Sequence, residues 1–323
     1  MNPDASGAKE DNATGVTGSQ LDRLLALAAE REPVRTAIVH PRDAISLTGA
    51  LEAARMRLIE PVLVGPAEKI KAAAAAAGED LTGIPLIAVE HSHAAAAEAC
   101  RMARAGEVGA IMKGSLHTDE LLAAAVDGAA GLRTDRRMSH VFILDVPTYP
   151  RPLFLSDAAI NIAPDLAAKK DIVQNAIDCA HALGVAQPRV AVLAAVETVH
   201  PNMSATVDAA SLSKMAERGQ IVGGLVDGPL AFDNAVSPEA AATKQIVSAV
   251  AGRADVLIAP NIEAGNMLAK QLAYLAGAQS AGIVMGARVP IMLTSRADGR
   301  LSRLASCAAA LLVARHERAK PAR

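Results

Sequence analysis

Apolar positions fall into two recurring patterns along the chain. Short unbroken apolar runs at 36–40 ("TAIVH"), 61–65 ("PVLVG"), 85–90 ("PLIAVE") and 110–114 ("AIMKG") read as strands. Between and after them come stretches whose apolar residues recur every three to four positions, at 43–58, 67–77, 93–106 and 117–126, which read as helices. Gly78 closes the second of these helices, and Thr118 and Asp119 are cap candidates for the fourth. The strands are continuous runs rather than alternations, so both of their faces are buried. Strands and helices in this order predict a mainly parallel sheet covered by helices on both faces.

The pattern breaks once. "SHVFILDVP" (139–147) and "PLFLSD" (152–157) are two strands with only a few residues between them. A parallel crossover needs a dozen or more linking residues, so this pair is antiparallel and marks the handover between two domains. Beyond it, strands are expected at 189–196, 221–230, 255–260, 282–286 and 289–295, and helices at 165–184, 205–219, 238–252, 263–277 and 302–319. The predicted organisation is a polar disordered tail over 1–20, a first α/β domain of 21–153 plus 299–323, and a second of 154–298.

Composition narrows the class. Of 323 residues 51% are hydrophobic but only 2% aromatic, so the core is built from Ala, Val, Leu, Ile and Met. A net charge of −2 offers no nucleic acid a basic surface. No apolar stretch reaches the roughly 18 residues of a membrane span, and no leader sequence opens the chain. Cys100, Cys179 and Cys307 are scattered without a CxxC, which predicts reduced, partly buried thiols in a cytoplasmic protein and no metal site.

Candidate chemistry gathers where strands end. "GAIMKGSLHTDELL" (109–122) places Lys113, Gly114 and Ser115 between a strand and a helix, where helix N–H groups attract anions; a glycine turn with a solvated lysine is the plain alternative. "FLSDAAINIAPD" (154–165) offers Ser156, Asp157 and Asn161 either to a ligand or to their own loop. "VDGPLAFDNAV" (226–236) carries Asp227 and Asp233, two acids that could hold a divalent cation but read better as shaping a turn. In "PNIEAGNMLAK" (260–270), Gly265 and Asn266 sit early in a helix, where glycine costs about 1 kcal/mol against alanine; a ligand or a tightly packed neighbour would explain it. "TSRADGR" (294–300) ends a buried run with Ser295, Arg296 and Asp298. The guanidinium suits phosphate or carboxylate; a surface Arg296–Asp298 pair is the alternative.

Taken in order, "GAIMKGSLHT", "SDAAINIAPDLAAK", "DGPLAFDNA", "AGRADVLIAPNIEAGNMLAK" and "MGARVPIMLTSRAD" resemble the phosphate acetyltransferase and phosphate butyryltransferase family over about residues 30–318. The details "MKGSLHT" and "LTSRAD" resemble the butyryltransferase-like branch more closely. The resemblance implies an acyltransferase that moves a short acyl group reversibly between CoA and inorganic phosphate. It implies the fold of the isocitrate and isopropylmalate dehydrogenases with the site in a cleft between domains, a homodimer, and no permanently bound cofactor or metal. It assigns Ser295 and Arg296 to charge stabilisation. Asp298 is the preferred general base, with Asp157 or an already ionised thiolate as alternatives. Lys113, Arg133, Asn161 and Asn266 become candidate phosphate or CoA contacts, and Arg136 and Arg137 either join them or stay solvated. Two competing classes are a non-catalytic protein that binds CoA or acyl phosphate, and an NAD(P)-dependent hydroxyacid dehydrogenase of the same fold. The second lacks a GxGxxG after a strand, and only Tyr149 and Tyr274 are present for a Tyr/Lys proton relay.

Overall fold

The structure is a computed structural model that describes residues 19–293 and 299–319. The first half runs α1 (Gln20–Ala29), β1 (Val34–Val39), α2 (Ala44–Arg55), β2 (Ile59–Gly65), α3 (Ala67–Ala77), β3 (Leu86–Ala88), α4 (Ser92–Arg104), β4 (Ala110–Lys113), α5 (Thr118–Val126) and β5 (Ser139–Asp145). The second runs β6 (Leu153–Ser156), α6 (Leu166–Ala182), β7 (Arg189–Leu193), α7 (Ser204–Glu217), β8 (Leu225–Leu230), α8 (Phe232–Val236), α9 (Pro238–Thr243), β9 (Val256–Ile258), α10 (Ile262–Leu275), β10 (Gln279–Met285), β11 (Ile291–Met292) and α11 (Arg300–Ala319).

All of these strands join one sheet, in the order β3-β2-β1-β4-β11-β10-β5-β6-β9-β7-β8. Strands β3, β2, β1, β4 and β11 are mutually parallel, and so are β6, β9, β7 and β8. Between the two arrays, β10 is antiparallel to both β11 and β5, and β5 is antiparallel to β6. The two arrays therefore run in opposite senses, and β5 and β10 are the seam between them.

The α/β class with a mainly parallel sheet follows the expectation. Alternation along each strand divides the core. On β6, Phe154 faces one way, with Leu153 and Leu155 the other. One face carries a single continuous cluster that includes Ile38, Met112, Val141, Ile143, Phe154 and Ile258, covered by α1, α2, α6, α7 and α11. The opposite face carries two clusters, one under α4 and α5 and one under α8, α9 and α10. Full burial of each Val, Leu or Ile is worth about 1.5–3 kcal/mol, so the gap between the two clusters forgoes some of that stabilisation. Alanines 308–310 of α11 are fully buried, and their small side chains let the helix lie close against β10 and α1.

Several local expectations change. Ser19 and Gln20, placed by sequence in the polar tail, instead cap and open α1; a capping box with Asp22 holds Ser19, and the Gln20 amide donates to Asp145 (2.8 Å). Thr118 and Asp119 are not caps but lie inside the first turn of α5, whose N-cap is His117 without a side-chain bond. The helix expected over 238–252 stops at Thr243, because Gln245 takes a left-handed conformation (φ 56°). The segment read as a turn at Asp233 and Asn234 is the short helix α8. Gly78 closes α3 in the left-handed region (φ 67°), as its position predicts.

All three cysteines are buried. Burial pushes the Cys100 thiol up to about 11 and the Cys307 thiol up to about 12, and raises Cys179 further still. A group whose pKa is raised stays protonated at neutral pH, so none of the three offers a thiolate. A thiol-disulfide exchange reagent at pH 7.5 should therefore titrate no fast-reacting group in the native protein and three after unfolding in guanidinium.

Candidate active site

The register of the seam strands brings the working ends together. Ile111, Ile291, Val284 and His140 stand side by side across β4, β11, β10 and β5. β4 and β11 end within two residues of this row. From the other side, Leu155 of β6 pairs with Phe142, so the next residues, Ser156 and Asp157, run toward His140. Ile258 of β9 is level with Ser156. Strands of opposite sense thus end at the same height. The helices that follow them, α5 and α10, bring their N-termini to the same place.

A cavity of about 580 Å³ occupies this position, and Thr118, Asp119, His140, Phe142, Ile262, Glu263, Asn266, Gly282, Leu293 and Ser306 are among its lining. It opens where the divided face leaves its gap. A second cavity of about 570 Å³ shares Phe142, Asn266 and Ser280 with the first and extends along α10 to Lys270, Tyr274 and Gly299–Ser302. The first residues of α5 and α10 border this one space, and the unpaired N–H groups and peptide dipoles of helix N-termini favour negative charge nearby. The volume suits one end of a cofactor-sized molecule.

The residues singled out by sequence distribute unevenly around this site. Ser295, Arg296 and Asp298 lie outside the described residues; the chain leaves them at Leu293 and returns at Gly299, and these two residues line the first and second cavities respectively. Asn266 lines both cavities while its Nδ2 donates to the Ala158 carbonyl (3.1 Å). Lys113 donates to the carbonyls of Gly114 and Leu116 (3.3 and 3.2 Å). Ser115 accepts from the Arg42 amide and meets the Ser46 hydroxyl, both at 3.1 Å, which ties its loop to the start of α2. A Cβ at Gly114 would stand 2.4 Å from the Val39 carbonyl oxygen, so the absent side chain lets β4 and β1 end in contact.

The 156–161 stretch largely bonds to itself. The Ser156 hydroxyl donates to the His140 carbonyl (2.8 Å). The Asp157 carboxylate is 2% exposed and accepts from the amides of Ala159, Ile160 and Asn161 and from Asn161 Nδ2. Asn161 in turn accepts from Arg137 Nε (2.6 Å) and donates to the Met138 carbonyl (2.9 Å). Gly265 is a packing glycine: a Cβ there would approach the Asp157 carbonyl oxygen to 2.5 Å, so its absence seats α10 on this loop. Arg136 pairs with Asp178, and exposed Arg133 bridges Ala287 through its main chain.

Sequence reasoning passed over His140, Phe142, Gly282 and Ser306. The available signal was slight. His140, Phe142 and Leu144 alternate within an apolar run, so a histidine shares a face with core residues. Ser306 accepts from the Gly282 amide (3.1 Å), a link between α11 and β10 that no local pattern announces.

A sheet whose two parallel arrays end at one cavity, with helices on both faces, defines the class as an α/β protein with a candidate small-molecule site at those strand ends. No helix among the described residues is long and apolar enough to cross a membrane. The family model described as phosphate acetyl/butaryl transferase matches residues 87–310. A phosphate acetyltransferase of Rhizobium meliloti is 56% identical over 301 residues, covering 93% of this chain and 95% of that protein. A phosphate butyryltransferase of Clostridium acetobutylicum is 38% identical over 293 residues, covering 91% and 97%. The crystal structure of a branched-chain phosphotransacylase from Enterococcus faecalis V583 superposes with a TM-score of 0.76 at 28% identity, covering 87% of this chain and 99% of that one. The chain belongs to the phosphate acetyl/butyryltransferase family and is an acyltransferase. Of these two relatives the acetyltransferase is the more similar, which does not favour the butyryltransferase-like leaning of the short motifs.

Removing the Asp157 carboxylate strands three amides that it now satisfies. The Asn161 amide is buried and that of Ile160 half-buried, and an unsatisfied buried group costs about 1–3 kcal/mol. Asp157→Ala should therefore lower the unfolding free energy, measured in urea, by at least about 2 kcal/mol, whereas Arg133→Ala at an exposed position should change it by less than about 0.5 kcal/mol.

Proposed function

We propose that the protein catalyses reversible transfer of a short acyl group between CoA and inorganic phosphate, giving acyl phosphate, with acetyl as the preferred group. The 56% identity to a phosphate acetyltransferase along nearly the whole chain carries this reading. The cavity supports it: two helix N-termini supply the field a phosphate needs, and the adjoining cavity along α10 gives the long CoA moiety a path outward.

The phosphate oxygen attacks the thioester carbon, the tetrahedral intermediate collapses, and CoA leaves as its thiol. In reverse, the CoA thiol attacks acyl phosphate. With a pKa near 8.5, that thiol is only a few per cent ionised at neutral pH, so a modest base suffices. In this reading Arg296 holds the phosphate, Ser295 donates to the developing oxyanion, and Asp298 takes the thiol proton. The ends of their segment, Leu293 and Gly299, line the two cavities, which supports the assignment. Asn266 at the first turn of α10, Lys113 and Arg133 are the proposed contacts to phosphate groups. Ser156, Asp157, Asn161 and Gly265 hold the loop on which α10 rests, and Ser115 anchors the loop after β4.

Several wider features belong to the same proposal. The two arrays make two domains of the isocitrate dehydrogenase-like fold, divided near residues 153 and 154 with α11 and also β11 returned to the first, and the cavity is the cleft between them. The enzyme works in the cytoplasm as a homodimer, with CoA and phosphate as substrates and no resident cofactor. Exposed Met267, Tyr274 and Leu275 on α10 give a dimer apolar surface to cover.

Thiol release from acetyl-CoA and butyryl-CoA, measured with and without phosphate, tests the activity. Phosphate-dependent release, faster with acetyl-CoA, is expected. Binding without turnover would identify a sensor, and reduction of NAD with a hydroxyacid would identify a dehydrogenase. Losing one charge-stabilising donor costs about 2.7–4 kcal/mol, so Arg296→Ala should cut turnover at least about a hundredfold with the melting temperature unchanged. Asp298→Asn should lower thiol attack by about a hundredfold or more if it is the base; a near-normal rate would remove it from that role.

A further inference from the structure

His140 is buried, with 3% of its surface exposed, yet its ring makes no hydrogen bond to any described residue. Nδ1 is sealed from solvent without a partner, and no described residue bonds to Nε2. Only its main chain is engaged, through the carbonyl that accepts from Ser156. The ring is nevertheless held in place. It stands edge-on to Phe142, with centroids 4.4 Å apart and planes at 68°. It also lies over Gly282 of the neighbouring strand, where an added Cβ would come within 2.7 Å of both Cε1 and Nε2. Gly282 and His140 both line the 580 Å³ cavity. A polar ring fixed this firmly, left unpaired and set beside a cavity is a donor or acceptor kept for a ligand.

We propose that His140 is a catalytic residue that donates a hydrogen bond from Nε2 to the acyl carbonyl oxygen of the bound thioester. The inference rests on the acyltransferase reading and adds a contact to it. No described residue bonds to Nδ1, so the tautomer is set by whatever meets Nε2. The ring stays uncharged: burial lowers its pKa to about 4, and the opposing pull of the nearby Asp157 charge does not offset this. Among the described residues, the other charged groups lining the cavity, Asp119 on α5 and Glu263 on α10, are also acidic. A neutral donor suits a neutral carbonyl whose oxygen gains charge only in the transition state, and it adds no fixed charge to the ground state. Phe142 and Leu293 beside it match an acyl group better than a phosphate.

The balance is closed without a proton from the ring. An oxygen of hydrogen phosphate forms its bond to the thioester carbon, and the carbonyl π pair moves to the oxygen held by Nε2–H. That pair returns, the C–S bond breaks, and the sulfur takes the proton that phosphate gave up. His140 keeps its own proton throughout.

The test combines kinetics with infrared spectroscopy. His140→Phe keeps the aromatic packing and removes the donor; kcat should fall about a hundredfold with KM for acetyl-CoA and for phosphate within about threefold of wild type. His140→Gln restores a neutral donor and should recover at least about tenfold over the Phe variant. A folded Phe variant with kcat within threefold of wild type, a loss confined to KM, or a Gln variant no better than Phe would overturn the proposal. Should the Phe variant fail to fold, the wild type still decides: acetyl-CoA labelled with 13C at its carbonyl should show the thioester stretch at lower frequency when bound without phosphate than when free. An unshifted band overturns the proposal. A wild type without phosphate-dependent cleavage of any acyl-CoA would instead remove the acyltransferase reading itself.

Discussion

The ladder between β5 and β10 is the constraint on which the molecule turns. Every other strand belongs to one of two parallel arrays, and parallel arrays of opposite sense can be joined only through antiparallel pairs. Because the register sets His140 opposite Val284 and Phe142 opposite Gly282, the carboxyl ends of both arrays arrive at one height. A slip of one residue would turn His140 and Phe142 to the other face, into the continuous cluster of Val141 and Ile143. The site therefore depends on main-chain pairing at the seam more than on any one side chain.

How the polar groups are spent separates scaffold from working surface. The loop at 157–161 holds a buried carboxylate, a buried amide and three main-chain donors, and each bonds to another group of the same loop or its immediate neighbours. Its satisfaction makes it rigid, and α10 seats on it through Gly265. One strand away, His140 has the same degree of burial and its ring bonds to no described residue. Burial alone would give both the same meaning; the hydrogen-bond account tells them apart.

The alternation of apolar runs and helical patterns made the strands, nearly all the helices, the antiparallel excursion and the α/β class readable, because burial on both sheet faces leaves a strong imprint on composition. Boundaries that depend on a single backbone conformation were not readable, such as the stop at Gln245 (φ 56°). Nor was the joining of both arrays into one sheet, since β11, β10 and β5 become neighbours only through pairings far apart in sequence. Within the site, Asn266 was legible from its place beside a costly glycine, although the glycine answers to packing against Asp157. His140 stayed hidden because a histidine within an apolar strand reads as one more core residue until its hydrogen bonds are counted. Ser295, Arg296 and Asp298 were legible as chemistry, and they fall outside the described residues.

Charge is apportioned around the cavity in a way that fits transfer between two unlike partners. Helix N-termini carry partial positive charge without a titratable group, so they attract phosphate at any pH the fold survives. Carboxylates in the first turns, Asp119 and Glu263, stabilise those same helices by interaction with their dipoles and offset the field that solvent sees. In the proposed reading, directional N–H groups of these helices add to the charge of Arg296 in holding a phosphate. The carbonyl, neutral at the start and at the end, meets a neutral ring. Such a donor gains strength only as charge builds on the oxygen, so in the proposed reading it lowers the same barrier in both directions of the transfer.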